Sequence, residues 1–337
     1  MLNEFKDSAT GLKGFIAIDS LTLGPAVGGT RMLPYHDTTE AKEDVLRLAH
    51  AMTYKCAIAG MSYGGGKGVI ICHPKKKTLK LLRAYAQQVQ RLNGSFYTGE
   101  DVGITEHDVQ KMLEVCPFFI GKSHLAGDPS PYAALSTFYS MKVAAKFLYG
   151  NTGLKNRTIA IKGIGKVGGA LAKLCADDGA SLIIADISPT ALKRAHSLIP
   201  KARIVSVAVI QQQKANIYAP CALGNEFTET SIKMLNADII CGGANNQLAS
   251  EDAGRAIQNA GILYVPDFVA NAGGLINVVD ELEPNGYNKK RVLERIKTLG
   301  VTLEKILSIS QQHLTTPDEI AKNMVHEILK TKNSQIT

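Results

Sequence analysis

Three residues carry groups able to hold a carboxylate or move a proton beside a reacting carbon: Lys55 in TYKCA, Lys67 in GGGKG and Asp101 in YTGEDVG. The setting of Lys67 is unusual. It follows Gly64, Gly65 and Gly66 and precedes Gly68 and the apolar run Val69-Ile70-Ile71-Cys72, which reads as an inner β-strand. A buried ammonium is costly unless it is paired. The stretch is not a phosphate loop, because Walker A spacing needs glycine where Met61 stands and Ser or Thr where Gly68 stands. One lysine can grip a carboxylate as a point charge. A second, beside it and partly desolvated, has its proton loosened and becomes a usable base. The neighbouring glycines are then expected to let ligands lie against the backbone. None of the eight histidines sits in a setting that recommends it as the base.

GIGKVG, residues 163–168, is a G-x-G-x-x-G that follows an apolar strand pattern and opens a helical one. The next strand pattern ends in Asp186, eighteen residues past Gly168. That is the context of a dinucleotide site. Gly163 permits the tight turn, Gly165 lets the backbone approach a pyrophosphate at the helix N-terminus, and Gly168 lets helix and strand pack closely. Asp186 would accept hydrogen bonds from the adenosine ribose and repel a 2′-phosphate, favouring NAD over NADP. Lys162 and Lys166 flank the loop, either to assist the phosphates or simply solvated. Further on, GGANNQL (242–248) follows another strand, so Asn245 and Asn246 are placed to contact the ribose or nicotinamide, or to serve as turn residues.

The elements around these residues divide the chain in two. TIAIKG, SLIIAD, RIVSV, NIYAPC, ADIICGG and ILYVPD, between 158 and 267, are apolar strands separated by helical patterns, which implies a parallel sheet covered on both faces. Earlier, GFIAIDS (14–20), GKGVIIC (66–72) and GSFYTG (94–99) read as strands. Residues 37–52 read as a helix opened by a capping box of Asp37 and Glu40, and 78–92 as a second helix. The tail after about residue 290 is helical. The expected fold is α/β: a mixed α/β domain over 1–130 with 312–337, and a doubly wound Rossmann domain over 131–311. The 337 residues, 45% hydrophobic and 20% charged, describe a globular protein. No run approaches a membrane span, and the first residues contain no apolar signal-peptide core. Six cysteines without C-x-x-C or zinc spacing read as small buried hydrophobes in a reducing, cytoplasmic setting, with no metal site. Of the +8 net charge the densest run is Lys75-Lys76-Lys77, a solvated turn rather than a nucleic-acid patch.

GPAVGGTRMLPY (24–35), MTYKCAIAG (52–60), GGGKGVI (64–70), GEDVG (99–103), PCALG (220–224), ANNQL (244–248) and NAGGLINV (271–278) together resemble the Glu/Leu/Phe/Val amino-acid dehydrogenases, most of all the leucine dehydrogenase branch. The resemblance runs in register from about residue 14 to about 330. It implies NAD-dependent oxidative deamination of an L-amino acid to a 2-oxo acid and ammonia, two domains closing on a cleft, and a homo-oligomer such as a dimer or octamer. Carried onto matching positions, Lys67 resembles the lysine that activates the attacking water. Asp101 resembles the carboxylate that shuttles protons at the nitrogen. Lys55 resembles the lysine gripping the substrate carboxylate, helped by the Gly28-Gly29 backbone. Besides the three loop glycines, Asp186, Asn245 and Asn246, the resemblance implies cofactor contacts from Lys166, Val167, Cys221, Ala222 and Ala244.

By the same carry-over the substrate side chain meets Val27, Met52, Gly99, Leu275 and Val278. All are apolar or lack a side chain, which disfavours a charged substrate. Gly99 stands where branched-chain members often have alanine, and reads as added room. The expectation is a branched-chain or other large apolar amino acid, with phenylalanine or tryptophan as alternatives and a low-turnover NAD- or amino-acid-binding sensor as the other class. Two departures stand out: Ala133 replaces a threonine that resembles a nicotinamide contact, and Lys166 replaces the usual Asn of the glycine loop.

Overall fold

The computed structural model describes residues 1–334. The chain forms two compact units. One comprises Met1–Asp128, Leu275–Lys289 and the residues from Val325 onward; the other comprises Pro129–Gly274 and Lys290–Met324. The division expected from sequence placed residues 312–324 in the first unit, although they belong to the second, and it assigned 275–289 to the second unit. The hydrogen bonds of that segment explain its place in the first: Glu281 Oε1 accepts from the amides of Lys122 and Ala126, and Asn277 Nδ2 donates to Ala126 O.

The first unit is built on a mixed sheet ordered β1(Leu2–Asp7), β2(Leu12–Ser20), β5(Gly64–Ile71), β3(Ala26–Val27) and β6(Phe96–Tyr97), with β4(Thr30–Leu33) also pairing β5. β5 is the interior strand. It runs antiparallel to β2 on one side and parallel to β3 and β4 on the other. Helix α1(Thr38–Ile58) covers one face, burying Ala41, Val45 and Ala49 against Phe15, Ala17 and Val69. Helices α2(Leu79–Gln90) and α3(Glu106–Leu113) belong to the opposite core, where Leu81, Tyr85, Val89, Val109 and Met112 meet Phe5, Ile16, Ile70 and Phe96.

α1 runs six residues beyond the expected end, so TYKCAI is helical and Lys55 lies in its last turn. Asp37 caps it by accepting from Glu40 N at 2.8 Å. The return bond of a capping box is absent: the Glu40 carboxylate accepts from His36 N instead. Lys77 is likewise no solvated turn residue, since it donates to Gly103 O at 3.0 Å and pairs with Asp108.

The glycines around Lys67 serve the fold. A Cβ on Gly64 would lie 1.9 Å from Ser20 O, and one on Gly65 would lie 2.1 Å from Thr53 N in α1. On Gly66 it would meet the Phe96 ring at 2.8 Å, and on Gly68 the Tyr85 hydroxyl at 2.0 Å. These positions are filled by protein, so the expectation that they open backbone to ligands does not hold. They allow α1 and the Phe96–Tyr85 layer to close directly onto the strand.

The second unit begins with α4(Ser130–Tyr149) and contains a wholly parallel sheet ordered β12(Leu263–Tyr264), β11(Ala237–Ile240), β10(Ala215–Pro220), β7(Thr158–Lys162), β8(Ser181–Ala185) and β9(Arg203–Ile204). This is the doubly wound order, with the switch point between β7 and β10. The connecting helices are α5(Lys166–Asp177), α6(Pro189–Leu198), α7(Glu229–Ile232) and α8(Glu251–Asn259), with a 3₁₀ turn at Ile210–Gln212. Helices α9(Asp267–Ala270), α10(Gly273–Val279), α11(Lys289–His313) and α12(Pro317–Asn333) complete the chain. No described helix is long and apolar enough to cross a membrane.

Candidate active site

In the first unit the structure pairs two of the three residues from which the sequence argument started. Lys67, only 6% exposed on the interior strand, donates to Asp101 Oδ2. Asp101 follows β6 in a tight turn in which its other oxygen accepts from Val102 N at 2.6 Å. Burial alone would raise the Asp101 pKa; the charges of Lys67 and Arg31 outweigh it and bring it down to about 2. Arg31, on β4, is itself anchored by Asp44 of α1 at 3.0 Å, and Tyr35 donates to the same Asp44 oxygen at 2.6 Å. The pair is thus the end of a charge network that sequence reading missed. Its signal was present in TRM, where an arginine alternates with inward residues on a strand.

Around this pair the backbone is drawn in closely. A Cβ on Gly29 would lie 3.0 Å from Asp101 Cβ, and one on Gly28 would lie 1.9 Å from Gly66 O and 3.2 Å from Met52 Cγ. Val27 pairs with Gly65 and with Tyr97. Val27, Gly28, Gly29, Met52, Lys67 and Asp101 therefore form one neighbourhood. Lys55 stands three residues beyond Met52 on α1, one helical turn along. Gly99 O accepts from Thr30 N, which ties this position to β4. A Cβ at Gly99 would lie 2.7 Å from Ile120 O. Gly99 therefore allows the 98–99 backbone to approach 118–120; the volume that sequence reading assigned to substrate there is occupied by that carbonyl. Val278 reaches the same segment, 3.8 Å from a Cβ built on Gly121, and Leu275 belongs to the same unit.

In the second unit GIGKVG occupies the turn between β7 and α5. Gly163 has φ +93°, and its Cβ would lie 2.8 Å from the Cys221–Ala222 backbone. Gly168 closes on Gly163 O, where a Cβ would lie 1.9 Å away. Gly165 is different: nothing stands within 4 Å of its Cβ position, and as the N-cap of α5 it leaves the helix without a side-chain cap. The turn is therefore closed at its first and third glycines and open at the second, as a pyrophosphate on a helix N-terminus requires. Val167 packs 2.6 Å from where a Gly243 Cβ would be. Lys166 is exposed beside it.

Asp186 directly follows β8 and accepts from Ile164 N at 2.6 Å and Ser188 N at 2.8 Å. It lines a cavity of about 450 Å³ together with Gly163, Ala222 and Glu226. Burial pushes the Cys221 thiol up to about 12, so it is no nucleophile at neutral pH. Ala244 N donates to Pro220 O, and Asn246 adopts φ +51°. Two residues quoted in motifs but given no role prove to hold this loop. Gln247 Nε2 donates to the carbonyls of Gly242 and Ala244, and Asn271 Nδ2 donates to Ala244 O and to Asn245 Oδ1 at 2.9 Å. Ala133 lacks a hydroxyl, and the nearby Thr137 does not replace it, because its own donates to Ala133 O at 2.8 Å.

Residues 3–117 match the dimerisation domain of the Glu/Leu/Phe/Val dehydrogenases, and residues 185–333 match the Glutamate/Leucine/Phenylalanine/Valine dehydrogenase domain. The chain belongs to the Glu/Leu/Phe/Val dehydrogenase family. It is 41% identical over 336 residues to a leucine dehydrogenase of Bacillus subtilis, covering 97% of this chain and 92% of that one. It is 40% identical over 334 residues to a phenylalanine dehydrogenase of Caldalkalibacillus thermarum, covering 97% and 90%. The solved structure of L-tryptophan dehydrogenase from Nostoc punctiforme superposes with a TM-score of 0.84 at 35% identity, covering 99% of this chain and 96% of that one. The Rossmann-type and mixed α/β organisation expected from sequence is the family's own. The chain is accordingly an oxidoreductase of the amino-acid dehydrogenase class, which acts by oxidative deamination with a pyridine nucleotide.

Proposed function

We propose that this dehydrogenase uses NAD to deaminate a branched-chain or other large apolar L-amino acid to its 2-oxo acid, reversibly, with Lys67 and Asp101 as the acid–base pair. The observation that carries the roles is the buried Lys67–Asp101 contact on an interior strand. In this reading Lys55 and the Gly28-Gly29 backbone hold the substrate carboxylate. Lys67, once it has passed a proton to Asp101, takes a proton from the water that attacks the imino carbon. Asp101 then moves protons to and from the departing nitrogen, a transfer its contact with Lys67 permits without a solvent relay. The bound nicotinamide supplies the hydride acceptor.

NAD is favoured over NADP because the Asp186 carboxylate lines the cavity next to the glycine loop, where a 2′-phosphate would meet like charge. The apolar set Val27, Met52, Leu275 and Val278 supports an apolar substrate side chain. The match of residues 3–117 to a dimerisation domain supports a homo-oligomer, dimer or larger, and a cytoplasmic setting accords with six free cysteines among the described residues. The test is NADH formation by the purified protein with NAD and a panel of L-amino acids at alkaline pH. Turnover of one apolar amino acid supports the reading and names the substrate. Silence across the panel, with NAD still bound by calorimetry, would favour a sensor.

A further inference from the structure

The cavity beside Asp186 contains a polar device that neither the sequence argument nor the family motifs assign. Glu226 lies on its wall with its side chain only 5% exposed. Three elements aim donors at one of its oxygens, Oε1: Lys162 at the end of β7 at 3.0 Å, Gln211 of the 3₁₀ turn at 2.6 Å, and Tyr218 of β10. The other oxygen, Oε2, has no donor among the described residues, yet it is not one of the fully enclosed unpartnered atoms. It is therefore an acceptor open to the cavity. The same carboxylate fixes Gln211. An ionised carboxylate only accepts, so the Gln211 amide nitrogen must face it. The Gln211 carbonyl oxygen is left as a second acceptor on the same wall.

We propose that Glu226 and Gln211 read the exocyclic amine of the cofactor's adenine. The proposal rests on the reading of GIGKVG as a dinucleotide site. With the ribose at Asp186, the base comes next along the cavity, whose lining also includes Ile187, Val207, Ala222 and Leu223. The adenine amine has two hydrogens to donate, and the wall offers two acceptors. Lys162 neutralises Glu226, so an anionic cofactor is not repelled by a bare carboxylate. A hypoxanthine base in the same place presents an oxygen to these acceptors. A site built to receive a donor rejects an analogue that lacks it, because its buried polar groups are left unmatched.

The experiment is calorimetry of the full chain with NAD and with nicotinamide hypoxanthine dinucleotide, in which an oxo group replaces that amine and the neighbouring ring nitrogen gains a hydrogen. Wild type is expected to bind NAD at least roughly ten-fold more tightly, the loss of one charge-assisted hydrogen bond. Glu226→Gln places an amide nitrogen where Oε2 was, and should shrink the preference to about two-fold or reverse it. Gln211→Leu, which leaves the carboxylate with Lys162 and Tyr218, should reduce it in part. Equal binding of both dinucleotides by wild type overturns the proposal while leaving the dinucleotide site intact, as does an unchanged preference in folded Glu226→Gln and Gln211→Leu proteins. Binding of neither dinucleotide overturns the underlying reading instead.

Discussion

Arg31 reaches the same carboxylate that Lys67 holds: its Nη2 lies 3.9 Å from Asp101 Oδ1, while Lys67 contacts Oδ2. Two cations on separate strands thus converge on one partly buried anion. Asp101 is kept ionised well below its ordinary value of 3.8, at about 2. A depressed carboxylate contributes stability that is fully present above that ordinary value and lost as pH falls through the folded one. Arg31→Leu should therefore raise the Asp101 pKa and move the loss of stability to higher pH, toward 3.8. It should also cost about 2 kcal/mol at neutral pH, because Asp44 and Asp101 each lose one of their cationic partners. Urea unfolding between acid and neutral pH, with a carboxyl NMR titration of Asp101, measures both.

Lys67→Ala is expected to lower kcat by about 10³-fold or more while NAD affinity measured by calorimetry stays unchanged. The two readouts fall on different units of the chain. Loss of NAD affinity along with turnover would remove Lys67 from the acid–base role.

Two glycines give opposite expectations. Gly65→Ala would drive a methyl into Thr53 N at 2.1 Å, backbone that cannot move without shifting α1. A cost of about 3 kcal/mol or more in urea or thermal unfolding is expected. Gly165→Ala meets no atom within 4 Å and needs no unusual backbone, since φ is −70°. Its stability should change by less than about 1 kcal/mol, whereas NAD should bind at least ~10-fold more weakly as the methyl occupies the approach to the helix N-terminus. Equal NAD affinity would show that the open side of the turn is not where the pyrophosphate lies.

Asp186→Ala should weaken NAD and narrow its advantage over NADP. Because the carboxylate also accepts from Ile164 N and Ser188 N, part of the loss will be structural. Asp186→Asn reduces the structural part, because its one oxygen can still accept from one of the two amides. It retains an acceptor oxygen but removes the charge, so NADP should gain relative to NAD even where NAD weakens little. An unchanged NAD-to-NADP ratio in both variants excludes the ribose role.

The parallel sheet was legible because buried strands such as TIAIK and SLIIA are uninterrupted apolar runs, and the glycine loop because its spacing encodes a backbone conformation. β1 was not legible. LNEFKD buries only Phe5, and its charged neighbours disguise a strand that exists through antiparallel pairing with β2. β3 and β4 are two and four residues long and owe their form to β5 rather than to their own pattern. The candidate site followed the same division. Lys67 and Asp101 stood out by type and setting, whereas the anchoring of Arg31 by Asp44 depends on a helix and a strand meeting across thirteen residues of chain. Gly99 was misjudged because sequence shows a missing side chain but not the Ile120 carbonyl that takes its place.

Lys67 is mounted on a strand hydrogen-bonded along both edges and sealed by glycines that accept no substituent. Such a mounting has little tolerance for drift: altering its immediate neighbours dislodges the helix or the aromatic layer before it re-aims the ammonium. Met52 and Val278 sit on helices, where one side chain can be exchanged for another without disturbing the strand. The chain thus separates a part that resists mutation from parts that admit it. A laboratory search for new substrates would do best to randomise Met52, Leu275 and Val278 and leave residues 64–68 untouched.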